Sequence, residues 1–164
     1  MQLLKQVYMS ALHYMREAIK VGLEGMMANQ GGPFGCVIVK NDEIIARGCN
    51  KVLLLNDPTA HAEVTAIREA CKVLNDFQLI DCEIYTTYEP CPMCMGAIYW
   101  ARPKKVYYAN TREDAAAIGF DDSFIYHELT LPVDQRKIVM ECIGRNEAIA
   151  MFEAWQQKDK KTLY

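Results

Sequence analysis

The sequence predicts a mixed α/β domain, a three-layer α/β/α sandwich in which helices cover both faces of a central mixed sheet. Three observations carry that reading. Short apolar runs of strand length alternate with segments whose apolar residues recur every three or four positions, the spacing of a buried helix face. The first two runs are joined by a turn so short that they must pair antiparallel, while the later ones are separated by helices that can return the chain parallel. Finally, 164 residues, 51% hydrophobic and 24% charged, suit one domain with a proper core and do not suit a disordered chain.

The elements follow in order. Leu4, Tyr8, Ala11, Met15, Ala18 and Gly22 mark the buried face of an opening amphipathic helix. Lys5, Gln6, His13, Arg16 and Glu17 interrupt it, so neither a signal-peptide core nor a membrane span of ~18 residues fits. Asn29-Gln30-Gly31-Gly32-Pro33-Phe34-Gly35 is a glycine-rich turn into a buried strand at 36–40. Asn41-Asp42-Glu43 reverses the chain into a second strand at 44–48, giving a β-hairpin. Asp57-Pro58 reads as a helix cap followed by proline at the first helical position. Ala60, Val64, Ile67, Cys71 and Leu74 then form the apolar stripe of a helix of about four turns. Residues 83–88 read as a strand, 92–101 as a helix and 105–109 as a further strand. Thr111-Arg112-Glu113-Asp114 has the form of a capping box, with Asp in the usual Glu/Gln place, opening a short helix that Gly119 ends. A last helix begins near Asn146, turns Ala148, Met151, Phe152 and Trp155 inward, and runs into a polar tail at 156–164. Residues 1–164 thus form a single domain.

Charge and cysteine content narrow the function. Lys+Arg 18 against Asp+Glu 21 leaves a net charge of -3, so no basic excess draws in a polyanion. Seven cysteines, an odd number in a domain that needs no disulfide staples, read as thiols or metal ligands in a reducing, cytoplasmic compartment.

Two segments carry the chemistry, His61-Ala62-Glu63 and Pro90-Cys91-Pro92-Met93-Cys94. Each lies where a strand or loop feeds a helix. With Pro92 as the first helical residue, Cys91 is the cap and Cys94 lies one turn on, so both sulfurs share a face, where the helix dipole favours thiolates. His61 completes a Cys2His set. With an open fourth position this is a catalytic zinc arrangement, the vacancy holding a water or hydroxide whose pKa falls to about 7, and Glu63 is the obvious base. On an ideal helix His61 and Glu63 lie roughly 160° apart, so they converge only on a site beyond the helix end. A lone CxxC is also a structural zinc half-site or a redox pair, and a lone HxE means little; together, each at a helix start, they are far more specific. Cys36, Cys49, Cys71, Cys82 and Cys142 have no paired spacing and read as reduced, mostly buried packing residues, and His13 and His127 as ordinary helix or surface residues.

The H-x-E…P-C-x-x-C pattern is that of zinc-dependent nucleobase deaminases, whose Glu moves protons without ligating. The chain here resembles the cytidine deaminase-like superfamily and, within it, the small bacterial guanine deaminases. Beyond the zinc motif, the resemblance rests on Gly31-Gly32-Pro33-Phe34-Gly35, Asn56-Asp57-Pro58-Thr59-Ala60, Val64-Thr65-Ala66-Ile67, Ala97-Ile98-Tyr99-Trp100-Ala101-Arg102-Pro103 and Gly119-Phe120-Asp121-Asp122-Ser123-Phe124-Ile125-Tyr126.

That resemblance implies hydrolysis of guanine to xanthine and ammonia, with one zinc ion per subunit held by His61, Cys91 and Cys94 and water or hydroxide as the fourth ligand. It implies that Glu63 shuttles the proton while hydroxide attacks C2, and that Asp122 binds substrate and assists the departing amine. It further implies substrate contacts from Phe34, Asn50, Ala62 and Trp100. It also implies a homodimer that exchanges the helix and tail at 146–164, so that Tyr164 reaches the neighbouring subunit's site. Tyr88 departs from the pattern, standing where many relatives have cysteine. A guanosine deaminase, a tRNA adenosine deaminase with the same zinc chemistry, and a non-catalytic zinc module with a fourth ligand are the competing readings. The acidic net charge weighs against RNA.

Overall fold

The protein is described here by a computed structural model covering residues 2–163, with side chains from Tyr8 onward. Asn41 and Asp42 both take the left-handed conformation, at φ 50° and 63°. That is the two-residue turn whose twist matches a hairpin, and it pairs β1 (Gly35–Lys40) antiparallel with β2 (Glu43–Cys49). On its other side β1 pairs antiparallel with β3 (Glu83–Tyr88), and β3 pairs parallel with β4 (Lys105–Asn110) through a helical crossover, giving the order β2-β1-β3-β4. The sheet is mixed and each predicted strand lies within a residue of its place.

Side-chain alternation divides the core into two layers. Val37, Val39 and Tyr85 face α1 (Gln2–Met27) and bury Tyr14, Met15 and Ala18. Cys36, Ile38 and Ile84 face the opposite way, onto Ala62, Ala66 and Ala70 of α3 (Ala62–Leu74) and onto Ile98 and Ala101 of α4 (Pro92–Ala101). The three layers are those expected. Tyr8, predicted on the buried face of α1, is instead exposed. No helix among the described residues is long and apolar enough to cross a membrane.

The start of α3 corrects the sequence reading. Asp57 does not cap a helix: its Oδ1 accepts from the Thr59 N–H at 2.8 Å and the Thr59 hydroxyl at 2.7 Å, closing a local turn. The Ala60 N–H returns to the Asp57 carbonyl, and the helix begins only after His61, whose φ −68° and ψ 160° are extended. The segment before it holds a one-turn helix, α2 (Val52–Leu55), too short to leave a periodic signal. Gly48 sets how closely α3 lies on the sheet. A Cβ there would stand 2.4 Å from the Ala62 carbonyl oxygen and 2.6 Å from the Ala66 nitrogen, so any larger residue would lift the helix end that carries His61 and Glu63.

Past β4, Thr111 and Asp114 form the predicted capping box of α5 (Arg112–Ala117), and Gly119 follows at φ 92°. The chain divides into two compact units, Met1–Asp122 and Ser123–Tyr164. The second contains α6 (Ser123–Thr130), a 3-10 turn (Val133–Gln135) and α7 (Arg145–Gln157). The Lys137 N–H donates to Glu128 Oε2 at 2.7 Å and Arg136 Nε to the Leu131 carbonyl at 3.1 Å, tying the 3-10 turn to the end of α6. Neither α6 nor the turn was predicted, since eight residues carry little periodicity. The last helix starts one residue before Asn146, but Ala148, Met151, Phe152 and Trp155 do not turn inward. Met151 is 70% and Phe152 67% exposed.

Candidate active site

Two helix starts and the end of one strand meet on the α3/α4 side of the sheet. His61 precedes α3, Glu63 lies in its first turn, Cys91 caps α4 and Cys94 sits one turn later. The angular conflict between His61 and Glu63 vanishes because His61 is outside the helix. His61 Nδ1 lies 3.6 Å from Cys91 Sγ and 3.5 Å from Cys94 Sγ. Among the described residues these three form the single His/Cys/Asp/Glu group able to hold a metal, their donor atoms all within 4.8 Å of one another. A tetrahedral zinc bound at ordinary Zn–S and Zn–N lengths separates sulfur from nitrogen by about 3.6 Å. The donor set therefore fits zinc in both chemistry and spacing.

The thiols behave as a pair. Cys91 is pushed down to about 4, first by its interaction with neighbouring Cys94, against the opposing effect of burial, and then by His61. Cys94 is pushed up, by the same interaction with Cys91 and by burial. Cys91 is thus the readier thiolate of the two, at the helix start where the dipole favours it. The charge of a bound cation would favour ionisation of Cys94 as well. His61 is raised, chiefly through its hydrogen bond with Cys91.

Glu63 is 4% exposed. The Thr86 hydroxyl of β3 donates to its Oε1 at 3.0 Å, and the Cys94 thiol to its Oε2 at 3.4 Å. Burial raises its carboxyl above the usual range, only partly offset by those donors. Sequence reasoning missed Thr86. Its signal was a polar residue in register with Cys36 and two positions from Ile84 on the buried face of β3.

Asn50, just past β2, is buried, and its Oδ1 accepts from the Val52 N–H at 3.1 Å. A Cβ on Gly31 would stand 2.1 Å from that oxygen, so the glycine-rich turn leaves room for the carboxamide. Phe34 packs on Tyr88 at 5.5 Å and edge-on to Phe120 at 4.9 Å, and borders the apolar cluster of Tyr88, Cys91, Cys94 and Ala115. Asp122 is half-buried, accepts from the Tyr88 hydroxyl at 3.0 Å through Oδ2, and its charge is felt at His61. Ala62 is fully buried at the start of α3. Trp100 is not brought to this group. It sits in the last turn of α4, at the opposite end from the cysteines, and is 64% exposed. Tyr164 lies outside the described residues.

Residues 9–110 match the family model of the cytidine and deoxycytidylate deaminase zinc-binding region. The chain belongs to the zinc-dependent cytidine and deoxycytidylate deaminase family. This deaminase is 54% identical to guanine deaminase from Bacillus subtilis over 151 residues, 92% of this chain and 97% of that one. The X-ray structure of guanine deaminase from the same organism superposes on it with a TM-score of 0.90 at 54% identity, covering 93% of this chain and 97% of the other. A tRNA-specific adenosine deaminase from Haemophilus influenzae is 34% identical over 135 residues, 79% of this chain and 75% of that protein. The fold is that of the cytidine deaminase-like enzymes, and the chain is a deaminase of the hydrolase class.

Proposed function

We propose that this deaminase hydrolyses guanine to xanthine and ammonia. One observation carries the reading: identity of 54% to a guanine deaminase spans 92% of the chain, well past the 9–110 region common to the family. Free guanine also suits a chain of net charge -3, which lacks the basic surplus that tRNA would require.

His61 Nδ1, Cys91 and Cys94 hold one zinc per subunit, which supplies when bound the Lewis acidity that activates water near neutral pH. Release of the Cys94 proton frees Glu63 Oε2, while Thr86 keeps Oε1 in place. Glu63 takes the proton of the water attacking C2 and delivers it to the ring nitrogen beside that carbon. Its raised proton affinity suits it to both halves of the transfer. Asp122, a pure acceptor, receives the N–H groups of guanine and assists proton transfer to the departing amine. Asn50 contributes its carboxamide and Phe34 a ring face to the purine, and Ala62 a first-turn N–H that has no intrahelical acceptor.

The protein works as a homodimer that exchanges residues 146–164, bringing Tyr164 toward the purine of the neighbouring subunit. The apolar side chains that α7 leaves exposed support this, since such a face needs cover. Sedimentation at micromolar concentration should give twice the 18.7 kDa chain mass. A monomer with full activity overturns the dimer.

A panel of guanine, guanosine, adenine, cytidine and an anticodon stem-loop, assayed for ammonia alongside bound metal, tests the reaction. The expected result is one zinc per chain and release from guanine far above the rest. Preference for the stem-loop would replace guanine with a tRNA adenosine, and zinc without any ammonia would leave a binding module.

A further inference from the structure

Strand alternation places Ile84, Thr86 and Tyr88 on the same face of β3. Ile84 is core. The next two side chains on that face are hydroxyl donors, and each is aimed at a different carboxylate: Thr86 at Glu63 Oε1, 3.0 Å away, and Tyr88 at Asp122 Oδ2, also 3.0 Å away. Two residues of strand span about 7 Å, so the backbone of β3 fixes the spacing of the two donors.

The two carboxylates need this support unequally. Glu63 is already set by α3, whereas Asp122 lies past α5 in a stretch without helix or strand. That stretch is anchored by the Phe120 N–H on the Ala115 carbonyl at 3.0 Å and by the Phe120 ring on Phe34. Those contacts place the backbone and an aromatic ring, and neither holds the Asp122 carboxylate. Tyr88 does. At 9% exposure its phenol is nearly buried, and its ring leans on the same Phe34.

We propose that Tyr88 is a positioning residue of this deaminase, holding Asp122 Oδ2 as Thr86 holds Glu63 Oε1, so that β3 fixes the separation of the two carboxylates that handle protons. With Oδ2 engaged, Oδ1 is the oxygen turned to the substrate amine. The inference rests on the assignment of Asp122 to guanine made above.

Tyr88→Phe keeps the ring and its packing on Phe34 and removes the hydroxyl alone. It is expected to retain zinc and melting temperature and to lose about tenfold in kcat/KM on guanine, shared between kcat and KM because Asp122 both binds and moves protons, as fits a lost hydrogen bond to a charged group. In an Asp122→Ala background the same change is expected to alter kcat/KM by less than about twofold, because no carboxylate remains to be held. If Asp122→Ala turns over too slowly to measure, guanine binding to the Glu63→Gln protein reads the same cycle: Tyr88→Phe weakens binding with Asp122 present and leaves it unchanged once Asp122→Ala has removed the carboxylate. Parent kcat/KM in Tyr88→Phe, or an equal loss in both backgrounds, overturns the proposal. A parent protein that releases no ammonia from guanine overturns the guanine reading beneath it.

Discussion

Glu63→Gln is expected to retain one zinc per chain and to lose nearly all turnover. The side chain is not among the metal-ligating donors, which are His61, Cys91 and Cys94. Gln keeps the shape and an Oε1 that can still accept from Thr86, the contact that spans 3.0 Å in the parent. What it lacks is a basic site. Both proton movements of the reaction, from the attacking water and to the ring nitrogen, pass through this one carboxyl, so kcat should fall by about 10³–10⁴, the upper part of the range for general acid–base catalysis. Guanine affinity, measured calorimetrically, should change little, because the purine is held by other residues. Near-parent turnover with zinc bound would sink the mechanism. Loss of zinc would show instead that Glu63 belongs to the metal's own shell.

The sheet and the metal group were legible because each is written locally. The short apolar run at 36–40, and an Asn-Asp turn suited to positive φ, need no tertiary information. The two cysteines announce themselves by residue type and by spacing within one helical turn, and His61 and Glu63 by their H-x-E pattern at another helix start. Where the reading failed, a local signal had two readings. Asp57-Pro58 looks like a helix start, yet the Asp57 side chain closes a turn with Thr59 instead, and that delay of α3 is what allows His61 and Glu63 to converge. Other features depend on register between distant strands. Thr86 reaches Glu63 because β3 lies beside β1 with Cys36 opposite Thr86, and Tyr88 reaches Asp122 across 34 positions of sequence. The apolar stripe of α7 was legible, but a stripe does not name the surface that covers it.

Cys94→Ser is expected to abolish zinc binding and activity together. The sulfur is fully buried, 3.5 Å from His61 Nδ1 and 3.4 Å from Glu63 Oε2. A serine hydroxyl does not ionise there, so the cation would meet one thiolate and one imidazole, with a neutral oxygen in place of the second thiolate. Loss of a first-layer ligand should weaken zinc by more than the roughly 10–100-fold typical of losing a supporting partner. The serine can still donate to Glu63, so the fold should persist with a lower melting temperature. Zinc stabilises the parent by mass action, by about 2.7 kcal/mol at a hundredfold excess over Kd, and that increment is the part expected to vanish. Melting with and without added zinc reads it directly: the parent shifts upward and Cys94→Ser does not. Cys142→Ser, at an exposed cysteine far from the group in sequence, should match the parent in metal content, melting and turnover. A Cys94→Ser protein that holds one zinc per chain and releases ammonia at the parent rate would remove Cys94 from the ligand set and leave the catalytic reading of the helix-start cysteines without its basis.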